Sequence, residues 1–215
     1  MLLSIVIPTY DRTHLLITRA LPSILHQETE LDLEIIVVGD GEQPATKYAL
    51  DAIGDDRVFY ENRPRPEYPE EETIRWGTIG LEARNWGHDH AQGDFLMALD
   101  DDDAMADQAI AMLHQLLVKE GADLVYGKSV AYNELDQVIA FYGFWPPIHF
   151  AFCEGAWFSK HDLGYRFDPK APLRGLPGDG DRIDRMVAGG VKFAFLDEVV
   201  HYYWPNRHPK VSVGH

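Results

Sequence analysis

Two short apolar runs, residues 3–8 (LSIVIP) and 34–38 (EIIVV), are nearly unbroken and rich in β-branched side chains, the pattern of parallel strands covered on both faces. Between them Leu21, Ile24 and Leu25 recur at helical spacing behind Asp11 or Thr13 as N-cap, and Pro22 predicts a kink. That order is a βαβ unit. A second helix after Pro44 and a strand at 57–60 (RVFY) continue the alternation of a doubly wound sheet.

Residues 62–72 (NRPRPEYPEEE) have no periodicity and predict a surface loop. A helix is expected over 79–90 with Ala83, Trp86, Gly87 and His90 on one face, then a strand at 94–99 (DFLMAL). Residues 107–120 read as an amphipathic helix with Ile110, Leu113 and Leu117 inward, followed by a strand at 123–126. Beyond residue 128 the pattern changes. A hairpin over 130–144 turning at 133–136 leads into an aromatic stretch, a Gly/Pro/Asp loop, a short helix at 184–188 and strands at 192–196 and 199–203. The tail PNRHPKVSVGH has no regular pattern.

At 215 residues and 46% hydrophobic, the chain can bury one substantial core, so a single α/β domain over 1–215 is expected. No apolar run approaches the roughly 18 residues of a spanning helix, and the start MLLSIVIPTY lacks a basic leader, which predicts a cytoplasmic protein. Cys153 is the sole cysteine. It excludes an internal disulfide and reads as a buried small hydrophobe. A net charge of −16 argues against a nucleic-acid partner, and a diphosphate could bind only where a cation, backbone N–H groups or placed Arg and His side chains offset it.

The most pointed feature is ALDDDDAM, four aspartates where a strand ends, which is where open α/β sheets bind ligands. Extended backbone would turn Asp100 and Asp102 one way and Asp101 and Asp103 the other, so two carboxylates could share a hard divalent cation with diphosphate oxygens. The alternative is a solvated acidic loop capping the next helix. Position at a strand's carboxyl end weighs against it.

Five segments in order, SIVIPTYDR, EIIVVGDGE, GLEARNWGHDHAQGDFLMALDDDD, GDGDRIDRMVAGGVKF and DEVVHYYWPNRHPKVS, resemble the inverting GT-A glycosyltransferases of family 2. The resemblance implies a GT-A (Rossmann-like) fold: a mixed, mainly parallel sheet with helices on both faces plus a small antiparallel acceptor-side portion. Residues 1–128 would form the nucleotide-sugar-binding half and 129–215 the acceptor-side half with the C-terminal tail. It further implies that Pro8, Thr9, Tyr10, Asp11, Asp40, Arg84, Asn85, Asp100 and Asp101 contact the nucleotide, with Gly39 standing where the family carries an acid. Asp102, Asp100 and Asp103 would hold Mn²⁺ or Mg²⁺ together with His208, His201 being the reserve.

Asp179 is the implied catalytic base, with Asp181 as the other possibility two residues on; Gly178 replaces the usual Glu. Trp145 and Trp157 are the aromatic residues expected to meet an acceptor sugar, the rest of 141–157 being core. The function implied is metal-dependent, inverting transfer of a hexose-type sugar from a UDP- or GDP-type donor to an acceptor hydroxyl. A sugar nucleotidyltransferase would want a Gly-rich phosphate loop, which PTYDRTHLL is not. An Asp-nucleophile phosphohydrolase would place that Asp after an early strand. A non-catalytic nucleotide- or glycan-binding homologue is the remaining alternative, kept open by Gly39 and Gly178.

Overall fold

The computed structural model describes residues 1–148 and 152–205. The chain opens as β1 (Leu2–Thr9), a helical stretch of α1 (Thr13–Leu15), a π-spaced turn (Leu16–Ala20) and α2 (Leu21–Leu25), then β2 (Asp32–Asp40), α3 (Pro44–Ile53) and β3 (Val58–Arg63). It continues with α4 (Glu72–Thr78), α5 (Leu81–His90), β4 (Phe95–Ala98), β5 (Ala104–Met105), α6 (Ala109–Glu120) and β6 (Leu124–Tyr132). The remainder is β7 (Val138–Tyr142), β8 (Trp157–Lys160), α7 (Gly178–Ala188) and β9 (Phe193–Tyr203).

All nine strands join one sheet in the order β3-β2-β1-β4-β8-β6-β9-β5, with β7 paired to β6. β1 is parallel to β2 and β4, and β2 to β3, whereas β8 runs antiparallel to both β4 and β6. This is the expected mixed α/β sheet. The chain winds outward from β1 to β3 and then returns to place β4 on the other side of β1, so the order reverses between β1 and β4. At such a switch point the loops leave in opposite directions and open a crevice at the strands' carboxyl ends. Residues 10–12 and 99–103 form its two lips.

The unbroken apolar runs follow from burial on both faces. Leu3, Ile5, Ile7, Ile35 and Val37 pack with Leu16, Leu21 and Ile24 on one side, while Val6, Ile36, Val38 and Leu96 meet Ala83 on the other. α5 lies close because it presents Gly87 to β1: a Cβ there would stand 2.3 Å from Val6 Cγ1. Gly87→Ala is therefore expected to lose about 1–3 kcal/mol in urea unfolding, the usual cost of overpacking; an unchanged midpoint would mean that the two elements separate easily.

Several elements differ from expectation. Pro22 lies at the start of α2, and the π-spaced turn before it absorbs the hydrogen bond that proline cannot donate, so the helix is re-spaced rather than simply kinked. α4 was not expected, since Glu70–Glu72 masked its first turn. On α5 the buried residues are Leu81, Ala83, Gly87 and His88, while half-buried Trp86 packs at the edge of the Val6 cluster and stacks on exposed His90 with ring centroids 3.8 Å apart. The small side chains decide which face approaches the sheet. Strands at 192–196 and 199–203 are one irregular strand, β9, whose register against β6 shifts twice. α7 begins at Gly178, so the Gly-Asp-Gly-Asp run is a helical first turn rather than a loop; acids there complement the helix dipole. Among the described residues no helix is long and apolar enough to cross a membrane.

Candidate active site

The crevice floor is built around β2. Asp40 is buried at that strand's end and accepts a hydrogen bond from the Tyr68 hydroxyl, which in turn accepts one from the Gly80 N–H at 3.3 Å. Gly80, at φ 76°, lies between β1 and α5: a Cβ on it would stand 2.8 Å from Arg84 Nη1 and 3.5 Å from Pro8 Cβ. Pro8, Asp40 and Arg84 are thus adjacent. Asp11, at φ 54°, donates its N–H to Gln43 Oε1 at 2.9 Å, and Gln43 donates its own to Asn62 Oδ1 at 3.1 Å. Asn62 explains Gly39, because a Cβ there would lie 2.3 Å from Asn62 Oδ1. Thr9 is buried at the end of β1, and the half-exposed Tyr10 ring is covered by the Arg65 guanidinium at 3.4 Å. Asn85 is the exception in this group. Its amide clamps the Phe167 backbone in both directions, at 2.8 and 2.9 Å, tying α5 to the segment that precedes α7.

The aspartate run is a turn, closed by Asp103 N–H on the Asp100 carbonyl at 3.2 Å, so the alternation expected of extended backbone does not hold. Asp100 pairs with Arg84. Arg12 Nη1 reaches both Asp101, at 3.2 Å, and Asp102, at 2.8 Å. Asp103 pairs with His201 Nε2 at 3.1 Å, and His201 Nδ1 lies 3.0 Å from Ser129 Oγ. Burial and the neighbouring Asp102 push the Asp101 carboxyl up to about 7 against the pull of Arg12. Burial acts on Asp100 too, but Arg84 outweighs it and holds that carboxyl below its ordinary value. Burial tends to lower the His201 imidazole, and Asp103 reverses this and raises it above its ordinary value.

Among the described residues no three His, Cys, Asp or Glu side chains converge as a ligand group. Mg²⁺ and Mn²⁺ are commonly held by one or two carboxylates plus substrate phosphates, and the oxygen donors of Asp100 and Asp102 have the right hardness for that role. His208 lies outside the described residues. His201, the reserve, is fully buried between Asp103 and Ser129.

Half-buried Asp179 occupies the first turn of α7 and accepts the Gly180 N–H at 2.8 Å. Burial raises its carboxyl, Asp100 adds to the shift, and Gly180 and Arg84 oppose it. Asp181 is held differently: Oδ1 meets Arg174 at 3.0 Å and Oδ2 meets Arg185 at 2.8 Å. Gly178 lacks a side chain because Leu81 fills the space, 2.8 Å from where a Cβ would stand.

The expectation for Trp157 is overturned. It is 2% exposed, packed in the core with Tyr126 and Phe152 and beneath the Arg182 guanidinium at 4.6 Å, so it cannot stack on a sugar. Its place as the first residue of β8, in mid-sheet between β4 and β6, turns it inward. Trp145 is 57% exposed and keeps that possibility. Cys153 is half-buried rather than buried.

One site residue escaped the sequence reading. Glu154 opens a 3₁₀ turn (Glu154–Ala156), pairs through Oε1 with Arg182 Nη1 at 3.1 Å, and sits in the field of Arg84, Asp179 and Asp100. Burial pushes its carboxyl up to about 7. The signal was present: a single acid inside the apolar run FAFCEGAWF.

An open α/β sheet with acidic residues at its switch point defines a ligand-binding α/β protein, because the crevice there is where such sheets take their ligands. A model of the family described as Glycosyl transferase family 2 matches residues 4–158, and the chain belongs to that family. It is 30% identical over 141 residues to the glycosyltransferase GlyG of Streptococcus pneumoniae, covering 66% of this chain and 43% of that protein. It is also 33% identical over 134 residues to a GalNAc(5)-diNAcBac-PP-undecaprenol beta-1,3-glucosyltransferase of Campylobacter jejuni, covering 61% of this chain and 39% of that one. The match thus spans about two fifths of the length of these relatives. The fold resembles S. aureus TarS in complex with UDP-GlcNAc, with TM-score 0.71, 16% identity and coverage of 100% of this chain and 62% of the other. It also resembles the mannosyltransferase PcManGT of Pyrobaculum calidifontis in complex with GDP-Man and Mn²⁺, with TM-score 0.67, 16% identity and coverage of 96% and 58%.

Proposed function

We propose that this chain carries the catalytic site of an inverting glycosyltransferase that moves a hexose-type sugar from a UDP or GDP donor to an acceptor hydroxyl. The observation that carries the reading is the Asp100–Arg84 pair at the sheet's switch point, with the Asp179 carboxyl within its electrostatic reach at the start of α7. It gives a diphosphate end and a base end to one crevice. The nucleotide lies along Pro8, Thr9, Tyr10, Asp11 and Asp40, and its diphosphate approaches Arg84 and the aspartate turn. Asp102 and Asp100, with Asp103 and His208 as further ligands, would hold Mn²⁺ or Mg²⁺, which when bound neutralises charge developing on the departing diphosphate. Asp179 takes the proton of the acceptor hydroxyl while that oxygen attacks the anomeric carbon from the face opposite the diphosphate. The sugar–phosphate C–O bond breaks as the new glycosidic bond forms, and the anomeric centre inverts.

The test is donor binding. UDP or GDP should raise the unfolding midpoint in the presence of Mn²⁺, by an amount corresponding to about 2.7 kcal/mol at one hundred times the dissociation constant. Asp102→Ala should abolish the rise. Equal stabilisation in EDTA would sink the metal bridge, and no stabilisation by either nucleotide would sink the donor reading.

A further inference from the structure

Glu154 is held by one oxygen only. Its Oε1 takes the Arg182 guanidinium, itself 2% exposed, lying 4.6 Å from the ring centroids of Trp157 and Phe167 and donating Nε to the Tyr165 carbonyl at 3.2 Å. This platform has little freedom. Gly155, the next residue, is pressed against the aspartate turn's supports: a Cβ there would stand 2.3 Å from His201 Nε2 and 2.8 Å from Leu99 Cδ1. The other oxygen, Oε2, is buried and has no hydrogen-bond partner among the described residues, although the side chain is only 9% exposed. A buried carboxylate oxygen left in that state is costly, and native structures retain such groups where a ligand completes them.

Its position says which ligand. Glu154 is tied to Arg182, three residues beyond Asp179 on α7, while its neighbour Gly155 abuts the His201 ring that holds Asp103, so Glu154 stands between the aspartate turn and the helix of the base. The only part of the reacting pair that must bridge those two is the sugar being transferred. We propose that Glu154 is a donor-sugar residue: Oε2 accepts a hydrogen bond from a ring hydroxyl of the hexose and orients its anomeric carbon toward Asp179. The proposal rests on the glycosyltransferase reading above. A carboxylate anchored on one side can present a single acceptor in a set direction, which selects for the configuration of one hydroxyl.

Glu154→Gln reverses this contact without changing shape. Arg182 has only donors, so the amide oxygen must face it and the NH₂ group is turned toward the sugar. Dissociation constants are measured with Mn²⁺ for UDP and GDP and for UDP-glucose, UDP-galactose, UDP-GlcNAc and GDP-mannose. The variant should bind the bare nucleotide as wild type does, while its best sugar nucleotide weakens about tenfold or more and discrimination among the sugars narrows. In the wild-type protein, sugar nucleotides deoxygenated at one ring position at a time should lose a similar factor at a single position. That loss should vanish in the variant, as coupling between two contacting groups requires.

Equal weakening of bare and sugar nucleotides would overturn the proposal, since it marks Glu154 as structural support. So would an unchanged ratio, or a deoxy series with the same profile in both proteins. Should the Gln variant fail to fold, the wild-type deoxy series decides alone, and the absence of any single sensitive position refutes the contact. Failure of both UDP and GDP to bind overturns the donor reading itself, and this inference falls with it.

Discussion

Asp179→Asn should bind the nucleotide and its sugar conjugate nearly as the wild type does, yet turn over about 10² to 10⁴ times more slowly. A positioned proton acceptor contributes a factor of that size, and the amide removes the acceptor while keeping the shape. Binding and rate separate because, among the described residues, Asp179 makes no ion pair and its carboxyl accepts the Gly180 N–H within its own helix. Its carboxyl stands above the ordinary range through burial and the Asp100 charge, and a base works only when ionised. The rate at low substrate should accordingly fall as pH drops through that raised value, a limb at higher pH than an ordinary aspartate gives. In the Asn variant the limb should be absent. Asp181→Asn is the control. Both Asp181 oxygens are taken by arginines, so its loss should cost on the order of 1 kcal/mol of stability and little rate. Loss of turnover in Asp181→Asn with an active Asp179→Asn would move the base two residues along; two active variants would end the carboxylate-base mechanism at this helix.

Arg182→Met should destabilise the chain by about 3–5 kcal/mol in urea unfolding, more than any single contact of Arg182 suggests. The guanidinium is buried between two rings, and although burial pulls its pKa down to about 10, Glu154 opposes the shift and it stays charged at neutral pH. Removing Arg182 leaves Glu154, whose carboxyl burial already pushes up to about 7, to stay charged and unpaired or to take up a proton, and that cost adds to the lost packing between the rings. Adding Glu154→Gln should recover part of the loss, because the remaining group is then neutral, so the double variant should be more stable than the sum of the singles predicts. A loss under about 1 kcal/mol would show that water reaches Glu154 freely, contrary to its burial.

The halves of the chain were not equally legible. Strands β1 and β2 and helices α3 and α6 announce themselves because both faces of a strand, or one stripe of a helix, must be apolar, and that demand is local. Asp100 to Asp103 stand out as candidate site residues for a related reason: four like charges at the end of a buried strand need an offset. The turn that disposes them was not visible, since it depends on Arg12, Arg84 and His201 arriving from three other segments. Trp157 and Glu154 mislead in opposite ways. An aromatic residue in a loop-like stretch suggested a sugar platform, and an acid in an apolar run passed unnoticed. Each role is set by β8 inserting antiparallel between β4 and β6.

The sequence by itself determined the family, the doubly wound opening and the acidic end of the crevice, because these rest on short-range periodicity and on motifs carried within single segments. Only the tertiary structure decided that Asp181 is sealed by Arg174 and Arg185 while Asp179 is not, that Gly39 and Gly178 yield their space to Asn62 and Leu81, and that Glu154 rests on a buried arginine. The physical reason is one of range. Propensity and hydrophobic pattern act over a few residues, whereas the burial and charge state of a carboxyl depend on groups up to tens of residues away that meet it only when the sheet closes.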